Sequence, residues 1–297
     1  MKPDKGRVAE VAQPKSFAAG CGVAFGRGEH ELVPRDLQLS DSSARLFQAE
    51  DESRIELAGS NGFHLLIRQH GMQFQLRVRL LASEPKEMPF AQASLLGCGV
   101  VTGAGAVLNT AQVSAGETVV IVGAGGVGLN AISGARIAGA SRIVVIDIQP
   151  KRLEAAKHFG ATDVVDSSKT NPVEAVRGFL PGGADHVFDF VGSKAVAEQG
   201  LAMLGVGGGL YLVGVTKPEV NLELNIFDAI GGQKHVEGVN FGSTNFKRDI
   251  PMYAALYLQG RMNLDDLVSK RISLREVNDG YAALQDGSLN RVVVTSF

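Results

Sequence analysis

The residues best placed to do chemistry form one short string, Gly123-Ala124-Gly125-Gly126-Val127-Gly128. It follows an apolar, β-branched run, Thr118–Val122, and opens a helical pattern that reaches about Ala140. A G-x-G-x-x-G between a strand and a helix has the form of a pyrophosphate cradle. Gly123 permits the tight turn, Gly125 lets the backbone approach phosphate, and Gly128 lets the helix pack closely on the strand. Gly126 and Val127 complete the turn, and the helix start offers N–H groups and positive dipole to an anion. Asp147 closes the next apolar run, 19 residues beyond Gly128 (147 − 128). An acidic residue at that point accepts hydrogen bonds from the adenosine ribose. Its charge repels a 2′-phosphate, and Ile148 and Gln149 supply no cation for one. The pattern implies NAD rather than NADP. The plain alternative is a glycine-rich turn beside an unrelated surface aspartate.

Such a site needs strands that end together. From Thr118 onward, strand-like and helix-like segments alternate. Arg142–Asp147, Val164-Val165, His186–Val191, Leu210–Val215, His235–Asn240 and Arg291–Thr295 read as further strands. Helices are expected from Pro150 to Gly160, from Asn171-Pro172 to Pro181, over Lys194–Leu204, over Ile250–Gln259 and over Leu274–Gln285. That alternation implies an α/β fold with a parallel, doubly wound sheet. Before Glu84-Pro85-Lys86 the chain is polar and irregular. There Gln73–Leu80 alternates cleanly, as a half-buried strand of an antiparallel sheet does, and Ser53–Leu57 is a second candidate.

The composition is that of a folded, water-soluble chain, 45% hydrophobic and 20% charged over 297 residues, enough for two domains. A net charge of −2 argues against a basic nucleic-acid binder. Two uncharged stretches, Met88–Gly116 and Thr118–Ala135, are broken by Gly and polar residues and read as buried core elements rather than membrane spans. With no apolar signal segment over Met1–Pro14, a cytoplasmic protein is expected. The two cysteines, Cys21 and Cys98, cannot form a disulfide framework or a four-cysteine zinc site.

Several strings in register identify a resemblance: Leu96-Gly97-Cys98-Gly99, Thr102-Gly103, Ala106–Ala111, Gly116-Glu117-Thr118, the Gly123–Gly128 turn, Ile146-Asp147-Ile148, Phe159–Asp163, Phe241-Gly242 and Asp249-Ile250-Pro251. Over about Glu87 to Phe297 the chain resembles the medium-chain dehydrogenase/reductase superfamily, specifically its zinc-type alcohol dehydrogenases. The resemblance implies a Rossmann-type domain beside a partial GroES-like, mainly β domain. The implied division is 1–95 catalytic, 96–260 dinucleotide-binding and 261–297 returning to the catalytic domain. It implies hydride transfer between an alcohol or aldehyde and NAD. By residue, it implies Cys98 as a catalytic zinc ligand and Thr102 beside the nicotinamide. Arg152 is implied at the adenosine ribose and Arg291 at the pyrophosphate. Val191, Gly192, Val213, Gly214, Val215 and Phe241 are implied along the cofactor. A homodimer joined through an edge strand at about His235–Phe241 is implied as well.

The chain departs from that family at its N-terminus. Met1-Lys2-Pro3 and Gly6-Arg7-Val8 resemble a segment from the middle of the catalytic domain, which is read as truncated or altered. The Gly-His-Glu string that carries a further zinc ligand is missing, and His30, His64 and His70 are not at ligand spacing. His158, His186 and His235 are read as structural. An incomplete zinc site is therefore expected. Two alternatives stay open. One is a zinc-free NAD(P)H reductase of the same superfamily, against which Cys98 counts. The other is a non-catalytic NAD-binding remnant or interaction module.

Overall fold

The computed structural model describes residues 85–284 and 289–296 with their side chains. It adds the backbone of Gln285 and of four strands, β1 (Leu46–Gln48), β2 (Arg54–Glu56), β3 (Phe63–Gln69) and β4 (Met72–Val78). β1 pairs antiparallel with β2, and β3 antiparallel with β4. The strands expected at Ser53–Leu57 and Gln73–Leu80 correspond to β2 and β4. The segment around Cys21 and His30 lies outside the described residues, as do the side chains of His64 and His70.

The apolar run Thr118–Val122 forms β5 at the centre of a six-stranded sheet. β6 (Arg142–Asp147) and β7 (Asp163–Asp166) extend it on one side. β8 (Ala184–Asp189), β9 (Leu204–Leu212) and β10 (His235–Gly238) extend it on the other. The order is β10-β9-β8-β5-β6-β7, and every pair is parallel. β11 (Val268–Ser273) and β12 (Arg291–Ser296) form a separate parallel pair.

Side chains alternate along each central strand, so the sheet feeds two cores. Val119, Ile121, Ile143, Val145, Phe188 and Tyr211 enter one core. Val120, Val122, Val144, Ile146, Val187 and Leu210 enter the other. Helices Gly128–Ala138 and Phe246–Leu258 cover the first, with a long helix, Phe90–Thr110. Helices Pro172–Phe179 and Lys194–Met203 cover the second. Each fully buried aliphatic side chain contributes about 1.5–3 kcal/mol relative to exposure, which is why nearly continuous apolar strands suit this sheet.

Phe90–Thr110 is apolar and long enough to cross a membrane, but most of it is buried inside the fold. Two wider, π-type turns, Leu96–Val100 and Ala106–Thr110, interrupt it. Arg142 ties β6 to β7 through a paired contact with Asp163, Nε to Oδ2 at 2.7 Å and Nη2 to Oδ1 at 3.1 Å. That guanidinium holds the Asp163 carboxyl below its ordinary range. The tie is therefore complete above the ordinary aspartate range and is lost as pH falls through the lowered value.

β5 and β6 begin and end where the apolar runs do. The expected strand His186–Val191 stops at Asp189, because the Asp189 side chain turns the next residues back. β9 begins at Leu204, ahead of the expected Leu210, and its glycine-rich start carries no alternation to read. The short helix Ile226–Gly232 and the polar strand β11 have no counterpart among the expected elements. Helix Phe246–Leu258 begins four residues before the expected Ile250 (250 − 246).

Candidate dinucleotide site

The chain runs outward from β5 through β6 to β7, then crosses back to β8. The order therefore reverses between β5 and β8, and ligands of open α/β sheets bind outside the strand ends at such a point. The Gly123–Gly128 turn leaves the end of β5 there. Gly123 takes a φ of +97°, and its N–H donates to Ile146 O of β6. Helix Gly128–Ala138 begins at the last glycine, where a Cβ would overlap the carbonyl oxygen of Gly123. Asn130, buried in that helix, donates from Nδ2 to Gly126 O at 2.7 Å and holds the turn from behind. Nothing lies within 4 Å of where a Gly125 Cβ would be, so that backbone faces open space.

Asp147 closes β6 and is buried. Its Oδ2 accepts the Ala124 N–H at 2.8 Å, and its Oδ1 accepts the Gln149 N–H at 2.9 Å. The carboxylate thus fastens the glycine turn to β6. A carboxylate offers about four acceptor sites, so about two remain for hydroxyl donors. Arg152 Nη1 lies 3.8 Å from Asp147 Oδ2, so the expected pair is brought together.

Arg291 reaches the same place from β12. Its guanidinium sits over Gly126, where a Cβ would meet Nη1 at 2.5 Å, and beside Gly99, where one would meet Nη2 at 3.1 Å. Nη1 donates to Asn290 O at 2.8 Å, whereas Nη2 is buried without a partner. Burial lowers the pKa of this group. Even so, a guanidinium stays charged in a protein. A half-buried guanidinium with an unused donor against a phosphate-type turn fits a pyrophosphate, and it finds room there because residues 99 and 126 are glycines.

Helix Phe90–Thr110 connects the remaining expected residues. A Cβ on Gly103 would overlap Val127 O, so the helix rests directly on the turn. Thr102 is half-buried between Val101 and Gly103, and Cys98 is half-buried one turn earlier. On the far side, Thr244 Oγ1 donates to Val101 O at 3.2 Å, and Asn109 Nδ2 donates to Gly242 O at 3.3 Å. Fully buried Asp249 accepts from Asn109 Nδ2 at 3.0 Å and from Asn245 N–H at 2.9 Å. These bonds fix the left-handed turn Phe241–Ser243, with Phe241 exposed. Val191 touches the Gly123 position at 3.2 Å, and Gly192 abuts Gly214, so both segments gather beside the turn. Val213 and Gly214 are half-buried, and Val215 is exposed.

Residues 126–257 match the family of zinc-binding dehydrogenases. An alcohol dehydrogenase-like protein of Arabidopsis thaliana is 35% identical over 82% of this chain and 64% of its own length. A probable S-(hydroxymethyl)glutathione dehydrogenase of Schizosaccharomyces pombe is 38% identical over 69% of this chain and 55% of its own. Among solved structures, the benzyl alcohol dehydrogenase of Acinetobacter calcoaceticus superposes with a TM-score of 0.71 at 33% identity, over 73% of this chain and 59% of that one.

The chain belongs to the zinc-binding dehydrogenase family. It spans 64% and 55% of the length of those two relatives.

Membership implies zinc, and the one expected ligand, Cys98, lies among the described residues. Among them no three His, Cys, Asp or Glu side chains converge on one point. The dinucleotide, by contrast, fits the unused donor of Arg291 and the remaining acceptor sites of Asp147. Sequence reasoning assigned no role of their own to Gly99, Gly103, Asn109 and Asn130. A polar Asn within the apolar run Leu129–Ile132 was the one local signal available.

Proposed function

We propose that this chain is an NAD-dependent, alcohol dehydrogenase-like oxidoreductase acting between a small alcohol and its aldehyde. The observation that carries the reading is the buried Nη2 of Arg291, a donor without a partner, held against the glycine turn whose other end is fastened to Asp147. Gly123, Gly125, Gly126, Val127 and Gly128 form the phosphate cradle, with N–H groups of the helix start aimed at the anion. Arg291 neutralises the pyrophosphate by charge-assisted hydrogen bonds. Asp147 accepts from the adenosine ribose, and Arg152 holds the outer side of that carboxylate. Val191, Gly192, Val213, Gly214, Val215 and Phe241 line the other half of the crevice, and Thr102 presents its hydroxyl there. When bound, NAD supplies the nicotinamide carbon that exchanges hydride with the alcohol carbon. The packed helix Phe90–Thr110 excludes water from the floor of the crevice. We retain 1–95, 96–260 and 261–297 as the working division of the chain. Helix Phe90–Thr110 runs across the first of those boundaries.

Asp147→Asn tests the reading. It removes the charge that favours ribose hydroxyl donors and should weaken NAD binding by ~1–3 kcal/mol. Calorimetric titration reads this directly. Unchanged affinity would remove the ribose from Asp147. Turnover is read separately, as NADH formation with a panel of short alcohols.

We infer a homodimer through the open edge of the sheet. β10 pairs with β9, and its outer edge meets no strand among the described residues. The short helix before β10 exposes Ile226 (73%), Phe227 (83%) and Ile230 (73%). An open strand edge together with exposed apolar side chains is relieved by symmetric pairing with a second copy. Phe227→Asp should halve the mass measured by light scattering and leave NAD affinity intact. A monomeric unaltered chain defeats this inference.

A further inference from the structure

Asp189 ends β8 at the point where the strand order reverses. It is 2% exposed. Four backbone N–H groups converge on this one residue. Its side-chain Oδ1 accepts from Val191 N–H at 2.7 Å and from Gly192 N–H at 3.0 Å. Its main-chain oxygen accepts from Val213 N–H at 3.0 Å and from Gly214 N–H at 2.8 Å. The two turns it holds are interlocked. Gly192 has a φ of +77°, and a Cβ there would stand 2.7 Å from the Gly214 carbonyl carbon. Phe190 N–H meanwhile donates to Val122 O of β5 at 2.9 Å, which binds the same corner to the start of the glycine turn.

The sheet decides which part of a ligand these turns face. Asp147, at the end of β6, takes the adenosine half, and the pyrophosphate lies over the end of β5. The other mononucleotide must then cross to the ends of β8 and β9. Those ends are the two turns that Asp189 holds.

We infer that Asp189 is the positioning residue for the nicotinamide half of the dinucleotide, an inference that rests on the NAD reading above. It touches no reacting atom. It acts through the Val191–Gly192 and Val213–Gly214 turns. Burial raises its carboxyl pKa, while the two N–H donors pull it back down.

The test compares NAD with ADP-ribose, which shares the adenosine and pyrophosphate and lacks the nicotinamide. Asp189→Ala should weaken NAD by roughly tenfold or more and leave ADP-ribose within about twofold. Asp189→Asn keeps an oxygen for the two N–H groups and should restore NAD to within about threefold. Equal losses for both ligands, or no loss of NAD, overturn the inference. Should Asp189→Ala fail to melt cooperatively, Gly192→Ala decides the matter, because its Cβ drives the two turns apart while the Asp189 carboxylate is kept. The same selective loss supports the inference, and an equal loss or none overturns it. If the unaltered chain binds neither ligand, the NAD reading falls and takes this one with it. If it binds both and Asp189→Ala still binds both, only the role of Asp189 falls.

Discussion

Replacing Arg291 with Met should raise the melting temperature of the unliganded protein and weaken NAD binding by roughly a hundredfold, or about 2.7 kcal/mol. The two effects have one cause. Arg291 is half-buried, desolvation alone shifts its pKa, and its Nη2 is out of water with no partner. Holding such a cation out of water is unfavourable, and an apolar side chain of similar length relieves that cost. The same cation is the one aimed at the glycine turn, and charge-assisted hydrogen bonds contribute about 1.5–3 kcal/mol each. Differential scanning fluorimetry without ligand and calorimetry with NAD read the two effects separately. ADP-ribose should lose as much as NAD, because both carry the pyrophosphate. This contrasts with the selective loss expected at Asp189. Undiminished NAD binding by Arg291→Met would defeat the assignment of Arg291 to the phosphates.

Gly128→Ala should destabilise the fold by about 3 kcal/mol or more, at the upper end of what overpacking produces. The added Cβ would overlap the Gly123 carbonyl oxygen, and its neighbour there is backbone, which has no rotamer to move. Helix Gly128–Ala138 would have to lift from β5 and disturb the core around Leu129 and Ile132. Gly125→Ala is the control within the same turn, since nothing stands within 4 Å of its Cβ position. That variant should keep its stability to within about 0.5 kcal/mol. It should still lose NAD affinity, because the methyl group enters the space through which phosphate approaches. Urea denaturation and NAD titration of both proteins check the contrast. A Gly128→Ala protein as stable as the original would mean that the turn is looser than its geometry.

Where the chain encodes structure locally, the sequence was readable. Thr118–Val122 and Arg142–Asp147 are strands to the residue, because each has an uninterrupted apolar, β-branched interior that suits a sheet covered on both faces. Pro150 and Gly160 bracket a helix because one pre-sets its first turn and the other accepts the left-handed φ of +118° that ends it. Legibility failed where long-range contacts override local pattern. β9 starts in glycines with no side-chain period, and β11 is mostly polar. His186–Val191 reads as one strand although the Asp189 carboxylate ends it early. The uncharged Met88–Gly116 stretch gives no hint that its glycines are seats for Arg291 and for the turn at Val127.

The sequence by itself determined the parallel α/β sheet, the glycine turn and the acidic residue that ends the next strand, because these depend on spacings within one β-α-β unit. Only the tertiary structure decided that Asp147 also fastens the cradle, that Arg291 arrives from the far end of the chain with a donor to spare, and that Asp189 holds two turns together. Those facts depend on which strand ends lie side by side. Sheet order is set by the burial of both faces and by the crossing from β7 back to β8, and no local spacing records it.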